Sequence, residues 1–336
     1  MSKVDFSIKE ILRVERKDLV DSQLDLLITG KSINCAVVNT LRRMAAESVP
    51  TYGFSPDPAM IDITFNDTIH DNDDMRNYLS NLAIPNLRPK PIFLSETYWN
   101  VNYADPEHEK HPEDDLNIQL IIKAHNDTNS LMKVTTNDVT YVENMEIVKG
   151  KFNPDFPSLI IKLRPNQSFR CTMRASLSVG ERDNRWSAVS NSYFDEKGPH
   201  QYLLTLKSLG QMDEYEIIVK CCMITVKRLE SLKVLIGSEF KKHNFTTNKK
   251  VMIELENEDH TMGNLLSRTI QDRPEVLHAS YSKPDHHKKE IVLKVTSMDN
   301  AVGSVFSSIK YLQQLFSEME QSLRSLGKRN KIDLKF

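Results

Sequence analysis

Four cysteines in 336 residues, none in a CxxC spacing, leave little room for thiol chemistry. A thiolate zinc or iron–sulfur site needs several cysteines close together, and a secreted disulfide scaffold needs a framework of paired ones. Cys35, Cys171, Cys221 and Cys222 therefore read as reduced thiols of an intracellular protein, and the adjacent Cys221 and Cys222 are poorly placed to bridge to each other. No apolar run approaches the roughly 18–20 residues of a membrane span, and Met1–Ile11 lacks the apolar core of a signal peptide. A soluble, unsecreted protein without membrane partners is expected. Charge of one sign is missing as well: 44 Lys and Arg against 46 Asp and Glu leave a net charge of −2. Autonomous nucleic-acid binding normally needs a basic footprint, so direct sequence-specific contact with nucleic acid is not expected.

Catalytic signatures are absent too. There is no GxxxxGK[ST], GxGxxG or GxSxG. A calcium loop opening at Asp71 would need Gly at 76 and Glu at 82; the sequence has Arg76 and Leu82. His108 and His111 are three apart, not the four of HExxH. His286 and His287 are neighbours in a polar loop with no third ligand in view, and His260 reads as a helix-start residue. The expectation is a chain with no catalytic residue, no metal and no cofactor.

What is present is ordinary globular material, 39% hydrophobic and 27% charged, long enough for two or more domains. Period-two alternation marks strands at Phe6–Ile8, Leu24–Ile28, Ile118–Ile122, Leu159–Leu163 and Tyr202–Leu206. The clearest strand runs from Phe169 to Val179, with Arg170, Thr172 and Arg174 on its opposite face. Residues 105–115 are charged and read as a solvated loop. Trp186 reads as a core anchor in preference to a ligand platform. A helical stretch near Asp213–Gly237 carries Ile218, Cys222, Leu229 and Ile236 near a 3.5-residue repeat. Residues 241–250 read as a linker. Beyond it, Val251–Leu255 and Ile291–Val295 are strands, and Thr261 is a candidate N-cap for a helix carrying Leu265, Leu266 and Ile270. Asn300 opens a long helix with Val305, Ile309, Leu312, Phe316, Met319 and Leu323 in a narrow stripe, the mark of a helix–helix seam. Lys328–Phe336 reads as a loosely held basic tail.

The stretch Asn39–Pro50, NTLRRMAAESVP, organises the first half. Val37, Val38, Leu41, Met44 and Ala45 make one apolar stripe, Ser32 or Asn34 can cap its start, and Pro50 ends it. Arg42 and Arg43 project about 100° apart and cannot both lie on one solvated face. Two readings stay open on pattern alone: a surface helix with salt-bridging arginines, or a guanidinium fork offered to a partner's carboxylates or carbonyls.

Asn39, Leu41, Arg42, Arg43, Glu47, Val49, Pro50 and Thr51 resemble the N-x-LRR-x(3)-E-x-VPT helix of alpha-type assembly subunits of cellular RNA polymerases. These are the bacterial alpha subunit, its archaeal D-type counterpart and the third-largest subunit of eukaryotic polymerase II. Asn66, Thr68, Asp71, Asp73, Asp74 and Leu82-Ala83-Ile84-Pro85 continue the likeness in the family's order. Arg185-Trp186-Ser187, Val189 and Phe194 resemble a further family segment whose His and Pro are missing here. Glu258-Asp259-His260-Thr261, Gly263-Asn264-Leu265-Leu266 and Pro274 resemble the E-D-H-T-L-G-N-L-L…P signature of the archaeal L-type protein and the eleventh subunit of polymerase II, with Met262 in place of Leu. One chain holding both resembles the fused subunit of large nucleocytoplasmic DNA viruses.

The resemblance implies an α+β protein: an alpha-like dimerisation domain at 1–50 and 155–240, a β-rich inserted domain at 51–154, a linker at 241–250 and an L-like dimerisation domain at 251–336. It implies a seam through Ile218, Cys222, Leu229, Leu265, Leu266, Val305, Ile309, Leu312 and Phe316. It further implies a non-catalytic platform for a DNA-directed RNA polymerase, with Asn39, Leu41, Arg42, Arg43 and Glu47 docking the second-largest subunit. The largest subunit and a small zinc-type subunit would share the complex, in host cytoplasm or nucleus and in the virion. Some relatives carry a cysteine-bound metal in the insert; with no cysteine between Thr51 and Ile160, none is expected here. A free-standing transcription regulator or DNA-binding adaptor on the same fold is the alternative, disfavoured by the near-neutral charge.

Overall fold

The computed structural model describes residues 4–15, 22–100, 116–243, 249–285 and 287–334. The chain opens with strands β1 (Ser7–Val14) and β2 (Gln23–Thr29), paired antiparallel with Ser7 opposite Thr29. Leu24, Leu26 and Ile28 of β2 are fully buried, as period-two alternation requires. Gly30 then turns the chain at φ +130°, where a Cβ would sit 2.4 Å from the Asp5 carbonyl oxygen, so the turn admits only glycine. Helix α1 (Cys35–Glu47) follows, capped by Asn34, whose side chain accepts from the Val37 N–H.

A second unit interrupts the first. It comprises β3 (Thr51–Phe54), β4 (Ile61–Asn66), α2 (Asn72–Leu79), α3 (Glu96–Trp99), β5 (Ile118–His125), β6 (Met132–Thr135), β7 (Val139–Glu143), β8 (Glu146–Ile147), β9 (Leu159–Leu163) and β10 (Ser168–Ser178). The long β10 is its spine, pairing with β3, β4 and β5 in a six-stranded antiparallel sheet. Its hydrophobic core runs from Tyr52 to Val179 and is separate from the core of the rest of the chain. Residues 159–179, placed by sequence in the first unit, lie in this second core. Their alternating pattern shows that they are strands but not which sheet they join. The charged stretch 105–115 lies outside the described residues.

The first unit resumes with β11 (Val189–Gly198), β12 (Gln201–Ser208) and the 30-residue α4 (Glu214–His243). The last unit is β13 (Lys250–Glu256), α5 (His260–Gln271), β14 (Val276–Ser282), β15 (Glu290–Ser297) and α6 (Ala301–Arg329). The α5 N-cap is Asp259, which accepts from the Thr261 N–H; Thr261 itself lies inside the helix. The expected linker is partly structured, because α4 runs through His243 and β13 begins at Lys250. The tail is not loose as far as 334: Leu334 is buried and packs on Gly327, and its carbonyl accepts from Arg324.

Setting the second unit aside, the two remaining units have one topology. Apart from β1, which adds a fourth strand beside β2 in the first unit, each runs strand–helix–strand–strand–long helix, and the shared strands order as β2-β12-β11 and β13-β15-β14, all antiparallel. The helices α1 and α5 pack together, as do α4 and α6, and a single hydrophobic core runs through both units from Val4 to Leu334. Burial of a continuous apolar seam, at about 25 cal/mol per Å2, favours association of the two units.

Candidate docking helix and inter-unit junction

Helix α1 lies against β11, β12, α4 and α5. Its apolar stripe is spent on that contact: Val37, Val38, Leu41, Met44 and Ala45 are buried. Leu41, placed by sequence among the partner-binding residues, is therefore a core residue of this chain. Asn39, Arg42, Arg43 and Glu47 form the half-buried strip that remains.

The structure divides the two arginines. Arg42 Nε donates to Asn39 Oδ1 at 2.9 Å, and its two terminal nitrogens make no other hydrogen bond or ion pair among the described residues. Arg43 is engaged within the chain. Its Nε donates to Glu47 Oε1 at 3.0 Å, one helical turn on, and its Nη2 to Asp259 Oδ2 at 3.1 Å. Burial works against the Arg43 charge, but Glu47, Asp259 and Glu181 outweigh it and raise its pKa. Asp259 is the N-cap of α5, so the LRR helix and the EDHT segment, remote in sequence, meet at one contact.

Beside it lies a deeper pair. Arg228 of α4 donates to Glu258 at 2.6 Å, with side chains 14% and 8% exposed. Burial opposes the Arg228 charge, and the field of Glu258 more than restores it, raising its pKa. Lys289, just before β15, adds a third tie: it reaches Glu181 at 2.5 Å and Glu96 of α3 at 3.2 Å and lies 5.5 Å from the Trp99 ring centre. These contacts join all three units.

A second joint holds the inserted unit to α4. Gln211 accepts from the Tyr52 N–H at 2.8 Å and donates to its carbonyl at 2.9 Å. The Asn86 and Leu87 N–H groups donate to the carbonyls of Gly210 and Gln211. Fully buried Glu216 pairs with Lys220 at 3.3 Å and Arg88 at 2.9 Å, and Lys220 donates to the Pro89 carbonyl. Burial lowers the Lys220 pKa. The IPNLRPKP stretch is thus the insert's foot on α4. Arg228, Lys289, Glu216 and Lys220 were missed by sequence reading, and Glu258 was noted only within the EDHT signature; a Glu and a Lys four apart in an otherwise apolar helix face was the one local signal for Glu216 and Lys220.

The seam residues Ile218, Cys222, Leu229, Leu265, Leu266, Val305, Ile309, Leu312 and Phe316 are all buried in the shared core. Burial pushes the Cys221 thiol well above its ordinary range, which leaves it a packing residue. Asp71, first of the HDNDD acids, caps α2, and Asp73 pairs with Arg76 at 2.7 Å. Trp186 is buried and donates Nε1–H to the Ser176 carbonyl at 2.9 Å. No helix among the described residues is long and apolar enough to cross a membrane.

A duplicated strand–helix unit closed on itself through one core is the build of a dimerisation platform contained in a single chain. Residues 250–322 match the family described as the RNA polymerase Rpb3/Rpb11 dimerisation domain. Over 321 residues the chain is 26% identical to a provisionally named DNA-directed RNA polymerase subunit of Acanthamoeba polyphaga mimivirus, covering 89% of this chain and 90% of that protein. Together with the duplicated fold, these matches support a fused alpha-like polymerase subunit of viral type.

Proposed function

We propose that the chain is the non-catalytic assembly platform of a multisubunit DNA-directed RNA polymerase, the intramolecular equivalent of an alpha dimer, with the reaction centre in other subunits. The observation that carries this reading is the core shared by two units of one topology: the dimer that such a platform needs is already formed within the chain. Its partners are then the second-largest subunit at the half-buried strip of α1, the largest subunit in the same complex and a small zinc-type subunit. The site of action is the host cytoplasm or nucleus, with packaging in the virion.

Within that strip Arg42 is the docking residue and Arg43 the internal one. Truncating one member of an interfacial charged pair costs about 2–5 kcal/mol of binding, whereas the one hydrogen bond of Arg42 within its own helix contributes about 0.5–1.5 kcal/mol to the fold. Arg42→Ala should therefore leave the melting temperature nearly unchanged and abolish co-purification with the second-largest subunit. Even Arg42→Lys should weaken it, because lysine lacks the planar fork. Arg43→Ala should lower the melting temperature instead. Normal co-purification of Arg42→Ala would defeat the docking assignment.

A further inference from the structure

The two sheets of the paired units end in four edge strands, β1 and β11 in the first unit and β13 and β14 in the last. Three of them carry a bulge on the edge strand itself: at Ile11 in β1, at Ser190 and Lys197 in β11, and at Leu277 in β14. A bulge twists an edge away and breaks the line of ladder groups that a further strand would need. Strand β13 has none, and it pairs with β15 in one unbroken register from Lys250 to Glu256. Its counterpart in the first unit, β2, is flanked on the side away from β12 by β1. The duplicated fold therefore shows an antiparallel strand seated at the position that β13 leaves open among the described residues.

The Ser297 N–H donates to the Lys249 carbonyl and the Asn257 N–H to the Lys289 carbonyl, both at 2.8 Å. By the alternation of an antiparallel ladder, Val251, Ile253 and Leu255 turn their main-chain groups to β15, and Lys250, Met252, Glu254 and Glu256 turn theirs outward. The side chains of these four are exposed, Met252 by 68%, and the three charged ones make no ion pair among the described residues. Charges on an edge strand ordinarily keep a second edge away, but the order Lys250, Met252, Glu254 is complementary to its own reverse. We propose that β13 pairs antiparallel with β13 of a second copy of this chain, about a two-fold axis at Met252. Lys250 of each copy then lies opposite Glu254 of the other, and the two Met252 side chains meet between these pairs. On the opposite face Val251 of each copy lies beside Ile253 of the other. This register brings the outward-turned residues of both strands into hydrogen-bonding pairs, and opposite charges and apolar side chains facing each other are the pairs that stabilise a ladder. The product is one six-stranded sheet running through both copies. The inference goes beyond the assembly-platform reading and does not depend on it.

The test is sedimentation velocity of the full chain without other subunits. One strand pair makes a small interface, so a dimer dissociating at roughly 10 µM is expected over a series from about 1 to 200 µM. Lys250→Glu sets like charges opposite each other at both ends of the pair and should weaken the dimer about tenfold, with the melting temperature of the dilute chain unchanged. Lys250→Glu combined with Glu254→Lys should restore it, because the exchange keeps every facing pair opposite in sign. Met252→Cys in a Cys35→Ser background, where the remaining cysteines are buried, should form an intermolecular disulfide on mild oxidation, since facing Cα atoms about 5.5 Å apart suit one. A chain that stays monomeric at the highest concentration, a dimer indifferent to Lys250→Glu, or one that the charge exchange fails to restore would overturn the inference. So would a Met252→Cys thiol that reacts freely at that concentration and is protected only by another polymerase subunit, which would give the edge to a strand of that subunit.

Discussion

The Arg228–Glu258 pair gives the sharpest test of how the first and last units are held together. Arg228→Met leaves the Glu258 carboxylate, 8% exposed, without its 2.6 Å partner. Removing one member of a buried pair costs about 3–5 kcal/mol, and burial, which raises the Glu258 pKa even with Arg228 in place, lets the stranded carboxyl take up a proton and keeps the expected figure at the lower end. At about 2–4 °C per kcal/mol for a cooperative unit of this size, melting should fall by about 6–12 °C. Glu258→Gln should cost less, since a neutral amide still accepts from the guanidinium. The double variant should be more stable than the sum of the singles predicts, with a coupling of about 2 kcal/mol, because it leaves neither charge stranded. The assay is a double-mutant cycle read by thermal and urea unfolding. Additive singles, each below about 1 kcal/mol, would show a solvent-screened contact and refute the junction as the tie between units.

Gly180 lies where a Cβ would approach the Ala46 carbonyl oxygen to 2.0 Å, so Gly180→Ala should cost at least about 1–3 kcal/mol through forced backbone shifts, measured by chemical unfolding; a neutral result would contradict the close approach of this loop to α1. Fragments 1–243 and 249–336, co-expressed, should form a 1:1 complex by light scattering because they divide one core, and two soluble monomers would refute the seam. Burial tends to raise the Asp259 carboxyl, but the Thr261 N–H, Arg43 and Arg228 outweigh it and hold it below its ordinary range. A carboxylate depressed in the fold contributes stability that is complete above its unfolded value of about 3.9 and fades as pH falls through the folded one. The melting gap between wild type and Asp259→Asn should accordingly be constant from about pH 5 to 8 and close only below about pH 4; closure near neutrality would point to another group.

Strands and helices were legible because their causes are local. The alternation of Leu24, Leu26 and Ile28, the β10 run from Phe169, and the Asn300 cap ahead of the α6 stripe each state a period or a capping chemistry that no distant residue alters. Where local cues competed, reading was less exact: Asp259 and Thr261 are both good caps, and the contact with Arg43 accompanies the choice of Asp259. Packing of the tail was invisible because Leu334 finds its partners on α6, against Gly327 and through the Arg324 hydrogen bond to its carbonyl.

The two arginines mark the limit more clearly. Composition, the helix stripe and the motif were enough to single out Arg42 and Arg43, to argue against catalysis and to predict two units facing each other. They left open which arginine turns outward, because that depends on Asp259, 216 residues away along the chain. The same holds for the sheet that β9 and β10 join, and for the ties through Lys289 and Glu216. A period reports which face of an element is apolar, whereas only the assembled fold determines what that face meets, and the charges gathered at the three-unit junction come from segments that no local pattern connects.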